Sequence, residues 1–122
     1  MKIRVLVCGG RHFDDAEWLY AVLDSFDAYY DFTMLIEGAA RGADTLARKW
    51  AEANNIPVRS FPADWKKHGK TAGPIRNQRM LDEGKPNLVI AFPGGLGTAN
   101  MVNQAKTRGL EVIQVRKYSN GK

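Results

Sequence analysis

A pattern that occurs three times narrows the fold of this chain more than any other feature. A short apolar run ends in a glycine-containing turn, and a segment with helical periodicity follows, at 3–8, 33–37 and 88–92. Strands that alternate with helices are typical of a parallel sheet with right-handed crossovers. With two further runs at 58–61 and 111–116, we predict an α/β, Rossmann-like domain whose five parallel strands, in the order 3-2-1-4-5, are flanked by helices.

Length and composition favour a small soluble protein. The 122 residues fit one domain, 1–122, and 44% hydrophobic and 25% charged residues are ordinary for a globular chain. No apolar run approaches a membrane span and no hydrophobic leader precedes a cleavage site, so we expect a cytoplasmic protein with no membrane partner. A net charge of +5 suits an anionic partner without requiring a polymer. We expect the tail 118–122 to be frayed.

The cysteine and histidine residues give no support for a disulfide framework or a metal site. Cys8 is the only cysteine and ends an apolar run, so we expect a buried, inert thiol. His12 and His68 have no carboxylate or cysteine partner at the spacing of metal ligands. We therefore predict neither a metal nor a cofactor.

The third glycine-containing turn carries the clearest functional signal. Glycines let a backbone turn sharply and bring its N–H groups close to a ligand. The helix that we expect to begin near the end of this turn adds unpaired N–H groups and the positive end of its dipole. An anion, in particular a phosphate, is the predicted ligand, although a tight turn with no ligand is the alternative for this loop alone. The candidate residues are Pro93, Gly94, Gly95, Gly97 and Thr98.

The first and second turns should lie at the same edge of the sheet, because all strands of a parallel sheet present their carboxyl ends there. Each turn combines glycines with an arginine suited to phosphate or carboxylate, and the second adds an aspartate that could accept ribose hydroxyls or cap a helix. The first turn lacks the third glycine of the dinucleotide fingerprint, so we do not expect hydride transfer with NAD. The candidates are Gly9, Gly10, Arg11, Gly38, Arg41, Gly42 and Asp44.

Four more candidates come from 62–79. We predict an exposed loop at 62–72, in which Trp65 could stack on a base or plug the core, and Lys70 could neutralise phosphate. We expect a helix to begin at Gly73-Pro74, with Arg76 and Asn77 near its start and within reach of the site.

These motifs, in order, resemble the SLOG superfamily, which joins the Lonely Guy phosphoribohydrolases to the Smf/DprA DNA-processing proteins. More narrowly, they resemble the YspA, cpYpsA-related SLOG family, and the similarity covers nearly the whole chain. The resemblance implies a Rossmann-like fold, a homodimer or larger homo-oligomer, and a role in binding or processing nucleotide-derived ligands in bacteria or their phages. The matching blocks are 8–11, 37–44, 64–65, 69–70, 72–77 and 92–98.

One departure from the Lonely Guy pattern bears on catalysis. The resemblance implies that those enzymes cleave an N-glycosidic bond with the help of a glutamate three positions after the threonine, and here that position is Met101. Their upstream Arg-Lys pair is matched only in its arginine, if Arg76 is the counterpart, with Asn77 beside it. Arg76 and Asp44 are the catalytic candidates if the protein is an enzyme, and the sequence leaves that question open.

Three functions follow from these residues. The leading prediction is a domain that binds a nucleotide or a nucleotide-derived ligand through the glycine-rich loop. The alternatives are a nucleotide N-glycosidic-bond hydrolase resembling the Lonely Guy enzymes and a single-stranded nucleic-acid-binding protein resembling DprA. For self-association, four apolar residues form either an exposed patch or part of the core: Phe13, Tyr29, Tyr30 and Phe32.

Overall fold

The structure is a computed structural model that describes residues 2–117. The expectation for the tail 118–122 therefore falls outside the described residues. In chain order, the elements are β1 (Ile3–Cys8), α1 (Ala16–Tyr30), β2 (Phe32–Glu37), α2 (Ala43–Ala53), β3 (Val58–Ser60), α3 (Trp65–His68), a 3₁₀ turn (Gly69–Thr71), α4 (Ala72–Gly84), β4 (Leu88–Ala91), α5 (Leu96–Thr107) and β5 (Glu111–Gln114).

The five strands form one parallel sheet in the order β3-β2-β1-β4-β5, which confirms the predicted fold class and topology. The central strand β1 pairs on both sides, with Val5 opposite Leu35 of β2 and Leu88 of β4. Strand order reverses between β1 and β4. A crevice is expected outside the carboxyl ends of the strands at such a reversal.

The two faces of the sheet carry separate hydrophobic clusters, because successive side chains of a strand point to opposite faces. Val5 and Val7 of β1 belong to the cluster that packs under α1 and α2, whereas Leu6 and Cys8 belong to the cluster under α4 and α5. Helices α1 and α2 are further joined by the indole N–H of Trp50, which donates to Asp24 at 2.8 Å. The sheet thus has helices on both faces.

The segment 62–72 is largely exposed, as we expected, but it is not a loop. Residues 65–68 form α3, because the side chain of Asp64 accepts a hydrogen bond from the Lys67 N–H at 3.1 Å and caps the helix. The Thr71 hydroxyl then donates to the His68 carbonyl at 2.7 Å and closes the following 3₁₀ turn. Helix α5 also begins earlier than expected, at Leu96.

The four apolar residues considered for self-association separate in the structure. Phe32 is buried, and Phe13 and Tyr30 are partly buried against the same core cluster. Only Tyr29, at 70%, is largely exposed. Within residues 2–117, none of the helices has both the length and the apolar character needed to cross a bilayer.

Candidate functional site

A pocket of about 900 Å³ opens just outside the carboxyl ends of β1 and β4, where the strand order reverses. Its walls come from the turns after these strands, the start of α2, α3 with its 3₁₀ turn, and the first turns of α4 and α5. Most of the residues proposed from the sequence line it. They are Gly9, Gly10, Arg11, Asp44, Trp65, Lys70, Arg76, Asn77, Pro93, Gly94, Gly95, Gly97 and Thr98.

The first and third glycine turns are in direct backbone contact. The Gly10 N–H donates to the Pro93 carbonyl at 2.9 Å. A Cβ added to Gly10 would lie 3.1 Å from the Gly94 Cα, and one added to Gly94 would lie 2.7 Å from the Gly10 nitrogen. Glycine is therefore required for the two turns to approach this closely, which joins them into one wall of the pocket.

Three predicted residues, Gly38, Arg41 and Gly42, are not among the residues that line the pocket. Gly42 supports the wall from behind: its φ is +76°, and a Cβ there would lie 2.6 Å from the carbonyl carbon of Arg11. Gly38 is packed under Arg76, because a Cβ added to Gly38 would lie 2.6 Å from the Nη1 atom of Arg76. Arg41 is exposed to solvent.

The first and third turns, with Gly9, Gly10 and residues 93–98, form the glycine-rich wall of the pocket, and the amino terminus of α5 is one end of it. Its N-cap residue, Gly95, has no side chain to pair with the first backbone N–H groups of the helix. A Cβ at Gly95 would meet no atom within 4 Å, so the backbone here is open. The first N–H groups of a helix lack intrahelical acceptors, and with the helix dipole they favour an anion at this place.

Arg76 on α4 is held in a fixed position beside this wall. Its Nη1 atom donates to the Gly38 carbonyl, and its Nε atom donates to Asn77 Oδ1 at 2.9 Å. The Nη2 group makes no hydrogen bond within residues 2–117. Burial lowers the pKa of the guanidinium, and the nearby Asp44 carboxylate opposes that shift. An arginine fixed at one end and lining a pocket at the other is suited to bind an anion.

Asn77 serves as a brace between α4 and the glycine-rich wall. Its side-chain amide is 3% exposed and donates to the Gly97 carbonyl at 3.2 Å and to Asn100 Oδ1 at 3.0 Å. Gln104 extends the network, because its amide donates to Asn100 at 2.8 Å and to the Pro74 carbonyl at 3.1 Å. These bonds use the side-chain groups with which Asn77 could otherwise contact a ligand.

Asp44 is a nearly buried carboxylate on the pocket wall, 6% exposed. It does not cap α2, since the N-cap is Gly42 and no side chain caps this helix. Its Oδ2 atom instead accepts the Ala40 N–H at 3.2 Å and supports the second turn. Burial raises the pKa of Asp44 to about 7, against the hydrogen bond from Ala40, and the Glu37 carboxylate adds to the rise.

One further buried acid, Glu37, and the buried thiol of Cys8 lie near Asp44. Glu37 is completely buried, and its carboxylate accepts the Ala39 N–H at 2.6 Å and the Ser60 hydroxyl. Cys8 is buried as expected, and burial raises the pKa of its thiol to about 12, with Asp44 contributing. A thiol with so high a pKa is neutral and unreactive near neutral pH.

The mouth of the pocket is aromatic and basic. Trp65 is 48% exposed, and the Arg11 guanidinium lies over its ring, 5.1 Å from the centroid. Leu96, at 91%, is even more exposed, and Lys70 also lies on the pocket wall. The indole is thus at the rim of the pocket and not in the core, and its stacking on a base stays a prediction.

Several lining residues were not predicted from the sequence. Asn100 had a usable signal, since it follows the glycine-rich turn by less than one helical turn. The apolar lining residues gave no sequence signal, because an apolar residue at helical or strand spacing can belong equally to a core or to a pocket wall. The additional residues are Cys8, His12, Phe13, Ala40, Gly73, Pro74, Met80, Leu96 and Asn100.

Met101, at the position of the expected glutamate, is completely buried in the cluster under α4 and α5 and does not line the pocket. Asp44 is the only carboxylate among the lining residues that the structure describes. Within residues 2–117, there is no group of three or more His, Cys, Asp or Glu side chains that could hold a metal ion.

A five-stranded parallel sheet with a glycine-walled pocket at its carboxyl edge defines an α/β protein of the Rossmann-like type. Residues 3–68 match the model of the YspA, cpYpsA-related SLOG family. The Gene 61 protein of Mycobacterium phage D29 is 35% identical over 118 residues, covering 90% of this chain and 94% of that protein. The chain belongs to the YspA, cpYpsA-related SLOG family.

A solved structure shows the same fold. The X-ray structure of DNA processing protein A (DprA) from Streptococcus pneumoniae is similar with a TM-score of 0.77 and 18% sequence identity. The match covers 97% of this chain and 52% of that chain, so this chain spans about half the length of the DprA structure. At this identity the likeness concerns the fold alone.

Proposed function

We propose that the pocket binds a nucleotide or a nucleotide-derived ligand, with its phosphate at the glycine-rich wall and its ring at the mouth. The observation that carries the proposal is the fixed position of Arg76. Its guanidinium is held by Gly38 and Asn77, and Asn77 in turn bonds to Gly97 in the first turn of α5. An arginine and a helix amino terminus that share one brace make a preorganised anion site.

Charge and size support the same ligand class. Arg11, Lys70 and Arg76 line the pocket against the single carboxylate of Asp44. This balance favours a ligand with negative charge. The volume of about 900 Å³ lies within the range of roughly 300–1,000 Å³ that is usual for small-molecule sites.

The apolar part of the pocket suits a planar ring. Trp65 and Leu96 are exposed at its mouth, and Phe13 and Met80 contribute further apolar surface. Aromatic side chains stack on bases because every base has a flat π-face. Asp44 lines the same pocket, and its carboxylate is able to accept a hydrogen bond from a ribose hydroxyl.

The proposal is tested by titrating the purified protein with AMP, ADP-ribose, NAD and cyclic nucleotides. Gly95→Asp places a negative charge at the α5 amino terminus, where an added side chain meets no neighbouring atom within 4 Å. We expect saturable binding that this variant abolishes. Asn103→Asp adds the same charge on an exposed position of the same helix, outside the pocket, and should bind as the unmodified protein does. Absence of binding by every nucleotide would refute the proposal.

A second candidate is binding of single-stranded nucleic acid, favoured by the exposed side chains of Lys66 and Lys67 beside Trp65. The similar fold of DprA, a DNA processing protein, points in the same direction. A polymer that contacts these lysines should lose affinity with salt by about 0.7 log unit per phosphate contact for each log unit of salt. Lys66→Ala with Lys67→Ala should reduce that slope while leaving mononucleotide binding intact, and a salt-independent affinity excludes this candidate.

Self-association and location remain predictions. Tyr29, exposed on α1, is the residue that supports an interface between copies of the chain. Light scattering during gel filtration should give a homodimer or larger, and Tyr29→Asp should shift it toward the monomer. We keep the cytoplasm as the expected location, which imaging of a tagged chain would check.

A further inference from the structure

Asp44 and Arg76 both lie against the same backbone position, Gly38. A Cβ added to Gly38 would be 2.6 Å from Arg76 Nη1 and 3.0 Å from Asp44 Oδ2. Both side chains also line the pocket. An anion that binds to Arg76 therefore brings negative charge close to a carboxylate that solvent barely reaches.

The charge of Asp44 is balanced by groups from every element around it. Desolvation and the Glu37 carboxylate disfavour the charged form, whereas Arg76 and the N–H groups of Ala40 and Gly38 favour it. Changing one of these influences will move the proton equilibrium. The titratable and charged groups near Asp44 or on the pocket wall are Cys8 on β1, Arg11 and His12 after β1, Glu37 on β2, Lys70 before α4, and Arg76 on α4.

We infer that Asp44 takes up a proton when an anion binds beside Arg76, so that filling the pocket is coupled to pH near neutrality. The inference rests on the proposed function. A bound anion adds a like charge next to the carboxylate and shares the positive charge of Arg76, and both changes favour the neutral acid. The protonated carboxyl also gains an O–H donor that the carboxylate lacks.

The direction of the pH effect follows from linkage. Burial places the pKa of Asp44 at about 7 before binding, and a neighbouring anion raises it further. The protonated protein therefore binds the anion more tightly. Affinity should be highest below about pH 7 and should fall by up to about tenfold per pH unit above it, until the pH passes the pKa of the bound state.

The test counts protons by calorimetry, with probes that keep their charge between about pH 6 and pH 9: ADP-ribose, NAD, 3′,5′-cyclic AMP and inorganic sulfate. Binding heats measured in two buffers with different ionisation heats give the number of protons exchanged. We expect an uptake of about half a proton to one proton per ligand between about pH 7 and pH 8. This measurement needs only the unmodified protein.

Variants assign the proton to a residue. In the binding that Asp44→Asn retains, the proton uptake and the pH dependence should be absent, whereas Asp14→Asn, an exposed change in the turn after β1, should alter neither. Glu37→Gln removes the charge of the neighbouring acid and so distinguishes proton uptake by Glu37 from proton uptake by Asp44. Binding without uptake overturns the inference but leaves the proposed function standing, and so does uptake that survives in Asp44→Asn. If none of the four probes binds, the function and the inference fall together. Should Asp44→Asn fail to fold, the buffer comparison on the unmodified protein decides.

Discussion

The side-chain amide of Asn77 donates to the backbone carbonyl of Gly97, 3.2 Å away, and so ties α4 to the first turn of α5. Its carbonyl oxygen accepts from Arg76 at the same time. One buried side chain thus fixes the distance between the guanidinium and the helix amino terminus, the two features proposed to hold an anion.

Replacing Asn77 with alanine should weaken both the fold and the site. The change leaves Arg76 Nε, the Gly97 carbonyl and Asn100 without this partner, and unpaired buried polar groups cost about 1–3 kcal/mol each. We expect the free energy of unfolding to fall by at least about 1–3 kcal/mol, the cost of one such group, since Asn100 keeps its bond to Gln104. Nucleotide affinity should fall about tenfold, or about 1.4 kcal/mol. Urea unfolding and titration measure the two effects. Asn103→Ala, exposed on α5, is the control, and unchanged binding by Asn77→Ala would contradict the bracing role.

Gly42 and Gly109 form a matched pair, since both have a φ of +76° but only Gly42 is crowded. Gly109→Ala should cost only the strain of the left-handed backbone, about 1–2 kcal/mol. Gly42→Ala should cost about 3 kcal/mol or more, because its Cβ would also meet the Arg11 carbonyl carbon at 2.6 Å. Denaturant unfolding of both variants gives the comparison. Equal losses would mean that the first turn yields easily and does not depend on Gly42.

Introducing the glutamate of the Lonely Guy pattern should fail to create a hydrolase. Met101 is completely buried away from the pocket, so Met101→Glu places a carboxylate in an apolar cluster. We expect a loss of about 3 kcal/mol or more in unfolding free energy and no release of base from nucleoside monophosphates. Chromatography of the reaction mixture detects free base. A stable variant that releases base would show that the helix can turn this position toward the site.

Trp65→Ala should distinguish binding of the ring at the mouth of the pocket from binding of the phosphate at the glycine-rich wall. Stacking contributes about 1–3 kcal/mol per base, so affinity for a nucleotide should fall about five- to hundredfold. Affinity for inorganic sulfate should stay the same, because sulfate has no ring. Tyr29→Ala removes another exposed aromatic ring, outside the pocket, and serves as the control. Equal losses for sulfate and nucleotide would assign Trp65 a structural role.

The fold and the location of the pocket could be predicted because they depend on local patterns. Apolar runs and glycine turns identify β1, β2 and β4, and a parallel sheet places their carboxyl ends together. The sequence also contains the cap of α3, Asp64, but the four-residue helix that follows is too short to show a helical periodicity.

The orientation of individual side chains could not be read from the sequence. Arg41 and Asp44 lie three residues apart in one small-residue block, yet the arginine is exposed and the aspartate is buried. The packing of Gly42 against the first turn, where a Cβ would lie 2.6 Å from the Arg11 carbonyl carbon, is a long-range contact that the local sequence does not reveal. The hydrogen bond from Asn77 to Gly97 likewise joins residues 20 positions apart, and no local sequence pattern predicts it.

The contact between Arg11 and Trp65 has a practical consequence. Trp50 lies inside the core and Trp18 packs against it, so Trp65 is the indole that senses solvent at the rim. A guanidinium already resting on its ring must move, or share that face, when another flat molecule arrives. The intrinsic fluorescence of the protein should therefore report occupancy without any attached dye.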